Sequence, residues 1–446
     1  MTARGFLSQL EERLTSPQQD LQSLSPHEQF DRIASKVADM DDAIVTKSDL
    51  LGRLENVRKS GQPLRIKFGI DPTGPDIHIG HAVSLINLRL FQRMGHHIVL
   101  VIGDFTGMIG DPSGRVDARP ALADEQIRDN MASYDEQASR IIDLRGTGIE
   151  RHYNSEWMSS LTVRAWVETL KTISASTLLQ REDFRWRLSG GHGLSMAELE
   201  YALFMGYDSV VLNPDIELGG VDQFLNMHVC RKLMANARQN PEIIIAYNLL
   251  PGTTGETDEH GRFKKMSKSR GNYIPITTPP DDMYGQVMAI PDEVMWVWYR
   301  DLTEITSADL QKLRSQVQAG ELHPKEVKQL LARAVVGTFN GFNADIIRSA
   351  EQDFESKFGK TAVLVPASTK QTNAQANQTI LAVLSVATGK SKNELRRLAE
   401  QNGIHILQGS THVPLALSSL TESVSRYSGA VLKVGKLSYF KLSVQD

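Results

Sequence analysis

Leu64-Arg65-Ile66-Lys67-Phe68-Gly69-Ile70 runs through Asp71-Pro72-Thr73 and Asp76 into His78-Ile79-Gly80-His81. The first seven residues have the composition of a strand, and residues 80–94 have helical periodicity. His97-Ile98-Val99-Leu100-Val101-Ile102-Gly103 follows as a second strand. It is almost continuously apolar, as a parallel strand buried on both faces must be. Further short strands are predicted at Val210-Val211-Leu212 and Ile243-Ile244-Ile245, separated by a helix over residues 223–234. Strand and helix alternating in this way predict an α/β fold with a doubly wound parallel sheet, Rossmann-like, over residues 61–280.

Outward from that core the pattern changes on both sides. Residues 1–60 read as a polar helical lead-in, with Phe30, Ile33, Val37 and Met40 at helical spacing. Beyond Pro279-Pro280 the strands stop, and residues 281–360 predict an α-helical domain. Residues 361–378 are rich in Ala, Ser, Thr, Asn and Gln without apolar periodicity, and read as a linker. A small α+β module of about 70 residues, 379–446, closes the chain. From residue 377 onward there are eight Lys/Arg against four Asp/Glu, in a chain whose net charge is −4. That local basic surplus is consistent with binding RNA.

Bulk composition excludes several classes. At 446 residues, 41% hydrophobic and 23% charged, the chain is a globular protein of more than one domain. No apolar run approaches the roughly 20 residues that span a bilayer, and the N-terminus has no apolar segment of secretory type. The single cysteine, Cys230, excludes an internal disulfide and a cysteine-based zinc cluster, which suits a reducing cytoplasm.

The glycines at the strand end and helix start let a nucleotide approach the backbone. A helix N-terminus offers unpaired N–H groups and a positive dipole end to phosphates. His78 and His81, three residues apart, fall on one helical face and can donate to phosphoryl oxygens. About 190 residues downstream, Lys265-Met266-Ser267-Lys268-Ser269 lies in a polar loop. Its two ammonium groups suit the charge that develops on departing pyrophosphate. Together the two motifs resemble the ATP-handling signatures of class I aminoacyl-tRNA synthetases.

Other segments narrow the resemblance to bacterial tyrosyl-tRNA synthetases. They are Gly103-Asp104-Phe105-Thr106-Gly107-Met108-Ile109-Gly110-Asp111-Pro112-Ser113-Gly114-Arg115, Tyr201 with Tyr207-Asp208-Ser209, and Glu217-Leu218-Gly219-Gly220-Val221-Asp222-Gln223. The final module resembles the S4 RNA-binding domain of those enzymes, through Ser391-Lys392-Asn393-Glu394-Leu395-Arg396-Arg397-Leu398 and Val431-Leu432-Lys433-Val434-Gly435-Lys436.

The resemblance implies roles by position. Thr73, His78, His81, Arg115, Arg119, Lys265 and Lys268 would handle phosphates and pyrophosphate. Asp71, Gly80, Gly220, Asp222, Met266 and Ser267 would line the ATP and adenylate site. Lys67, Asp111, Tyr201, Met205, Asp208 and Gln223 would surround the amino acid, with Asp208 accepting from a phenol. Lys392, Arg396 and Arg397 would contact RNA. The implied reaction is ATP-dependent activation of tyrosine and its transfer to tRNA by a homodimer. Mg²⁺ would be carried on ATP, with no metal held by a protein cage.

The chain departs from the family at Met205, where the family has a glutamine that accepts from the substrate ammonium. A thioether is a much weaker acceptor. Two alternatives follow: a paralogue activating another tyrosine-like acid, and a non-catalytic RNA-binding relative. The first is favoured by Met205, and the second is opposed by the intact histidines and lysines.

Overall fold

A computed structural model of the chain describes all residues except 1, 17–19, 39–42, 73, 75, 114–123, 359–368, 409–410, 436–437 and 446. By contacts it forms two compact units, Met1–Thr278 with Gln286–Phe342, and Pro279–Gly285 with Asn343–Asp446.

The first unit is built on a five-stranded parallel sheet. The strands are β1 (Arg65–Ile70), β2 (His97–Ile102), β3 (Ile149–Tyr153), β4 (Ile216–Gly220) and β5 (Ile243–Tyr247), in the order β3-β2-β1-β4-β5. The helix Ile79–Arg93 crosses from β1 to β2, and Phe224–Asn236 crosses from β4 to β5. The strand order reverses between β1 and β4, so a crevice opens outside their carboxyl ends, where ligands of such sheets bind. β2 and β5 are buried nearly end to end, which accounts for their unbroken apolar sequences.

The predicted strand at Val210-Val211-Leu212 is instead the last turn of the helix Met196–Leu212. A complete capping box at Ser195/Glu198 starts that helix, and Asn213 ends it in the left-handed conformation. The β-branched pair is carried along by this 17-residue helix, its propensity overridden by context. The strand itself lies just beyond, at β4. At the N-terminus, helices cover Ala3–Thr15, Pro26–Ala34 and Lys47–Ser60. The second of these ends before Val37, and Met40 lies outside the described residues.

Helices Pro280–Met288, Asp292–Leu302, Ser307–Gln318, Pro324–Phe339 and Ala344–Phe358 occupy the region of helical periodicity. Trp298, fully buried, donates its indole N–H to the Pro251 carbonyl at 3.1 Å. Pro251 is bridged to Lys265, so this helix anchors the base of the lysine-rich loop.

The second unit contains an α+β module of S4-like build. Its sheet runs β6 (Lys370–Gln375), β10 (Ser438–Gln445), β9 (Val431–Val434), β7 (Ile404–Gln408), β8 (Thr411–Pro414). Helices Ile380–Thr388 and Lys392–Glu400 join it around Ile380, Leu384, Leu395, Leu432 and Phe440. The segment read as a linker holds β6, an edge strand parallel to β10. Within β6 only Ala374 is buried, so it carries no apolar alternation by which sequence could reveal it. No helix among the described residues is long and apolar enough to cross a membrane.

Candidate active site

Asp71 follows β1 directly and is clamped from two sides. Thr106 Oγ1 donates to its Oδ1 at 2.8 Å, and the Tyr201 hydroxyl donates to its Oδ2 at 2.7 Å. Tyr201 comes from the Met196–Leu212 helix, so one carboxylate ties that helix to the crevice mouth. Burial, with Asp71 and Asp111 close by, pushes the Tyr201 phenol well above its ordinary pKa, and it stays a donor.

His78 caps the helix Ile79–Arg93, its Nδ1 accepting from the His81 backbone N–H at 3.3 Å. The two imidazoles stack with centroids 3.6 Å apart and planes 17° apart. Burial, then the positive fields of His81 and Lys268, lowers the His78 pKa to about 3. The ring is therefore neutral, and with Nδ1 accepting, Nε2 carries the donor hydrogen. Burial likewise lowers His96 to about 4. Between the unfolded value near 6.5 and these folded values the unfolded chain binds protons that the folded one does not. The contribution of these two histidines to stability is thus fully present above about pH 6.5 and is lost as pH falls below it. Replacing both by glutamine should remove about 2–4 kcal/mol of the difference in urea-unfolding stability between about pH 7 and pH 5, on which the raised pKa of Asp208 acts in the opposite sense. A double variant with the parent's pH dependence would mean that both imidazoles are solvated.

The lysine-rich loop is docked on this corner. A Cβ on Gly80 would come within 3.2 Å of the Met266 Cβ, so only glycine permits that approach without displacing Met266. Met266 is buried and its N–H donates to the Leu250 carbonyl at 2.8 Å. Ser267 N–H donates to Asn272 Oδ1 at 2.8 Å. Lys268 Nζ donates to the Asp76 carbonyl at 2.9 Å, and Lys265 Nζ to Asp222 Oδ2 at 3.2 Å. Asp222 stands just past Gly220, at the carboxyl end of β4.

Deeper in the crevice are two polar networks. Gln223 Nε2 donates to Asp111 Oδ2 at 2.6 Å, Asn226 Nδ2 to Gln223 Oε1 at 2.9 Å, and Arg181 to Asn226 Oδ1 at 3.0 Å. In the other, Asp208 accepts from Trp157 Nε1 at 2.8 Å and from Asn154 Nδ2 at 3.5 Å. Burial raises the Asp208 pKa to about 7, against the lowering effects of Lys67, Trp157 and Asn154.

The stacked histidines, the docked lysine-rich loop and the Asp71–Tyr201 contact thus lie about the carboxyl ends of β1 and β4. The model of the class I tRNA synthetases (W and Y) matches residues 59–356. The chain belongs to that family. A tyrosine–tRNA ligase of Desulfotalea psychrophila is 36% identical over 401 residues, covering 89% of this chain and 94% of its own. One from Thermotoga maritima is 34% identical over 420 residues, covering 94% of this chain and 98% of its own. The crystal structure of tyrosyl-tRNA synthetase complexed with L-tyrosine from Archaeoglobus fulgidus has a TM-score of 0.55 at 17% identity. It covers 73% of this chain and 99% of that one, a likeness of fold alone.

As a class I tRNA synthetase the chain is an aminoacyl-tRNA ligase, and the residues expected from its sequence fall into three groups. Asp71, His78, Gly80, His81, Asp111, Tyr201, Asp208, Gly220, Asp222, Gln223, Lys265, Met266, Ser267 and Lys268 belong to the networks just described or adjoin them. Thr73, Arg115 and Arg119 lie outside the described residues. Lys67 and Met205 are placed differently from the rest. The Lys67 ammonium donates to Glu217 Oε1, Ser209 Oγ and the Met205 carbonyl at 2.6, 2.6 and 3.1 Å, which occupies all three donors. Met205 is partly buried and packs against the cluster of Met227, Ile244 and Ala246. Sequence reasoning missed Thr106, Asn154, Trp157, Asn226 and Arg181. Only the indole donor of Trp157, set in the polar run Asn154-Ser155-Glu156, offered a hint.

In the second unit Lys392, Arg396 and Arg397 are all exposed on the helix Lys392–Glu400, while Leu395 and Ala399 are buried. The cations therefore form one free face of an anchored helix.

Proposed function

We propose that the chain is a tyrosine–tRNA ligase, which forms tyrosyl-adenylate and passes the tyrosyl group to the terminal adenosine of tRNA. The observation that carries the choice of amino acid is Asp208, a buried carboxylate held by Trp157 and Asn154 as an acceptor for a phenolic hydroxyl. Asp111 and the Tyr201 region would hold the substrate ammonium, and Gln223 would lie beside its carboxylate. That carboxylate attacks the α-phosphorus of ATP; a C–O–P bond forms, the bond to the bridging oxygen breaks, and its electron pair leaves with pyrophosphate. Neutral His78, His81, Lys265 and Lys268 would stabilise the charge gained on the phosphoryl oxygens. Thr73, Arg115 and Arg119 belong to the same proposed phosphate-handling set. Mg²⁺ arrives with ATP as part of the substrate.

The exposed face of Lys392, Arg396 and Arg397 suits a tRNA backbone. Val163, Val167, Trp186, Leu188 and Met196 are exposed apolar side chains on neighbouring stretches of sequence, and support a second copy of the chain as partner; the proposed compartment is the cytoplasm, which suits the single cysteine.

Met205 packs against an apolar cluster, and on this reading its side chain stands outside the substrate pocket. Met205→Gln should leave the tyrosine KM within about threefold while lowering stability by about 1–3 kcal/mol. A tyrosine KM improved by about tenfold or more would instead put position 205 in the substrate pocket. The test of function is ATP–pyrophosphate exchange with tyrosine beside β-tyrosine, 3-substituted tyrosines, phenylalanine and hydroxyphenyl acids lacking the amine. Exchange with tyrosine is expected; exchange with an analogue and not with tyrosine would overturn the proposal.

A further inference from the structure

Behind Asp208 lies a buried cluster that the activation chemistry does not use. Lys67 on β1 and Glu217 on β4 are direct cross-strand partners, and Glu242 immediately precedes β5. All three are sealed from solvent, with Lys67 at 1% exposure and both glutamates at 0%. Lys67 Nζ donates to Glu217 Oε1 and to Ser209 Oγ, each at 2.6 Å, and Ser209 donates to Glu242 Oε1 at 3.0 Å. The remaining oxygens, Glu217 Oε2 and Glu242 Oε2, are both buried and make no hydrogen bond of ordinary geometry, the weakly donating Cys230 thiol lying against Glu217. Ligand-type atoms of Glu217, Glu242 and Cys230 lie within 4.8 Å of one another.

Such a grouping invites a metal ion, but the cation of this cluster is already present as the Lys67 ammonium, bonded directly to Glu217. One ammonium balances one carboxylate, and two carboxylates this close in a dry interior cannot both ionise. A single proton on Glu242 Oε2, donated to Glu217 Oε2, satisfies both orphan oxygens at once. It also closes a ring: Lys67 to Ser209, Ser209 to Glu242, Glu242 to Glu217, Glu217 back to Lys67. Burial and the facing Glu217 carboxylate hold Glu242 well above the ordinary carboxyl range. Burial works against the Lys67 charge, yet Glu217 outweighs it and keeps the ammonium protonated.

The ring grips one turn of the Met196–Leu212 helix. Lys67 holds Met205 O and Ser209 Oγ, on either side of Asp208 in the register of that turn. In the same turn Gly206 lets the helix close on its neighbour, since a Cβ there would lie 3.2 Å from the Cys230 Cα and 2.6 Å from Leu233 Cδ1. We propose that Lys67, Ser209, Glu217 and Glu242 form a closed hydrogen-bonded ring in which two carboxyls share one proton. The ring is a positioning device that fixes the turn bearing Asp208, and so sets recognition of the amino-acid side chain. The recognition clause rests on the tyrosine reading above; the proton count does not.

Because the proton is shared, the two glutamates should be interchangeable. Removing either leaves the other ionised against Lys67, whereas removing both strands the ammonium. The experiment is infrared spectroscopy of the full chain at about pH 9, above the ordinary carboxyl range, with kinetics on the same variants. The parent should show the C=O stretch of one protonated carboxylic acid, absent from both Glu217→Gln and Glu242→Gln. Each single variant should keep the tyrosine KM within about threefold. The double variant should raise it about tenfold or more with the ATP KM unmoved, and adding Lys67→Met should bring it back. Should the double variant not fold, the triple variant and the infrared band carry the test. A parent without the acid band would overturn the ring. So would a single variant as damaging as the double, or a stoichiometric metal ion lost in Glu242→Gln. A parent that fails to exchange pyrophosphate with tyrosine would remove the recognition clause and leave the infrared result standing.

Discussion

Lys268→Ala is expected to slow ATP–pyrophosphate exchange by about 10²–10³-fold, with the tyrosine KM unchanged within about threefold. In the resting enzyme the lysine makes only exposed contacts among the described residues, a hydrogen bond to the Asp76 carbonyl at 2.9 Å and an ion pair with its carboxylate. Its side chain is 38% exposed, and its partner Asp76 is also solvent-facing, with Nζ–Oδ2 at 3.8 Å. An exposed pair of this kind is worth about 0–1 kcal/mol and is readily exchanged for another anion. On the proposed function, pyrophosphate gaining charge in the transition state would be that anion, and the interaction would be made where it accelerates reaction rather than where it tightens ground-state binding. Lys265, paired at 3.2 Å with Asp222, is built in the same way. An alanine variant at Lys268 with undiminished exchange would show that the docked loop is not part of the activating machinery.

Asp208→Asn is expected to lower kcat/KM for tyrosine by about 10- to 150-fold, the equivalent of one charge-assisted hydrogen bond of about 1.5–3 kcal/mol. It should cost phenylalanine far less, so discrimination between the two narrows. Asparagine keeps the shape and an oxygen for the Trp157 indole, so the fold should be retained, which thermal unfolding checks. The parent should show the same dependence through pH. With its pKa raised to about 7, the Asp208 carboxyl is ionised and accepting above that pH and protonated below it. The tyrosine KM should therefore rise as pH falls through about 7, and the Asn variant should lose that dependence. A parent whose tyrosine KM is flat from about pH 8 to pH 6 would mean that the phenol is recognised elsewhere.

The elements that carry the proposed nucleotide half of the site were legible because they are local. A strand end, a helix start and a loop rich in lysine each fit within a few consecutive residues, and the helix cap at His78 needs nothing distant. The proposed amino-acid half rests on resemblance, and the side chains that support Asp208 were not legible at all. Asn154 and Trp157 reach Asp208 across about 50 residues of sequence, and nothing in their own neighbourhood requires it. β4 was missed because it carries a charged residue on a buried strand. Glu217 is tolerable there only because Lys67 is its cross-strand partner, a fact that no window around residue 217 contains. β6 was missed for the opposite reason: an exposed edge strand can be wholly polar. Met205 is a third case, since a family position tells which residue is replaced but not what the replacement packs against.

The most direct test of the central claim is transfer of labelled tyrosine to tRNA by the purified full chain in the presence of Mg-ATP. The expected result is esterification of the tRNA acceptor for tyrosine, dependent on Lys268 and not supported by phenylalanine. Charging with a different amino acid, or adenylate formation with tyrosine but no transfer to any tRNA, would contradict it.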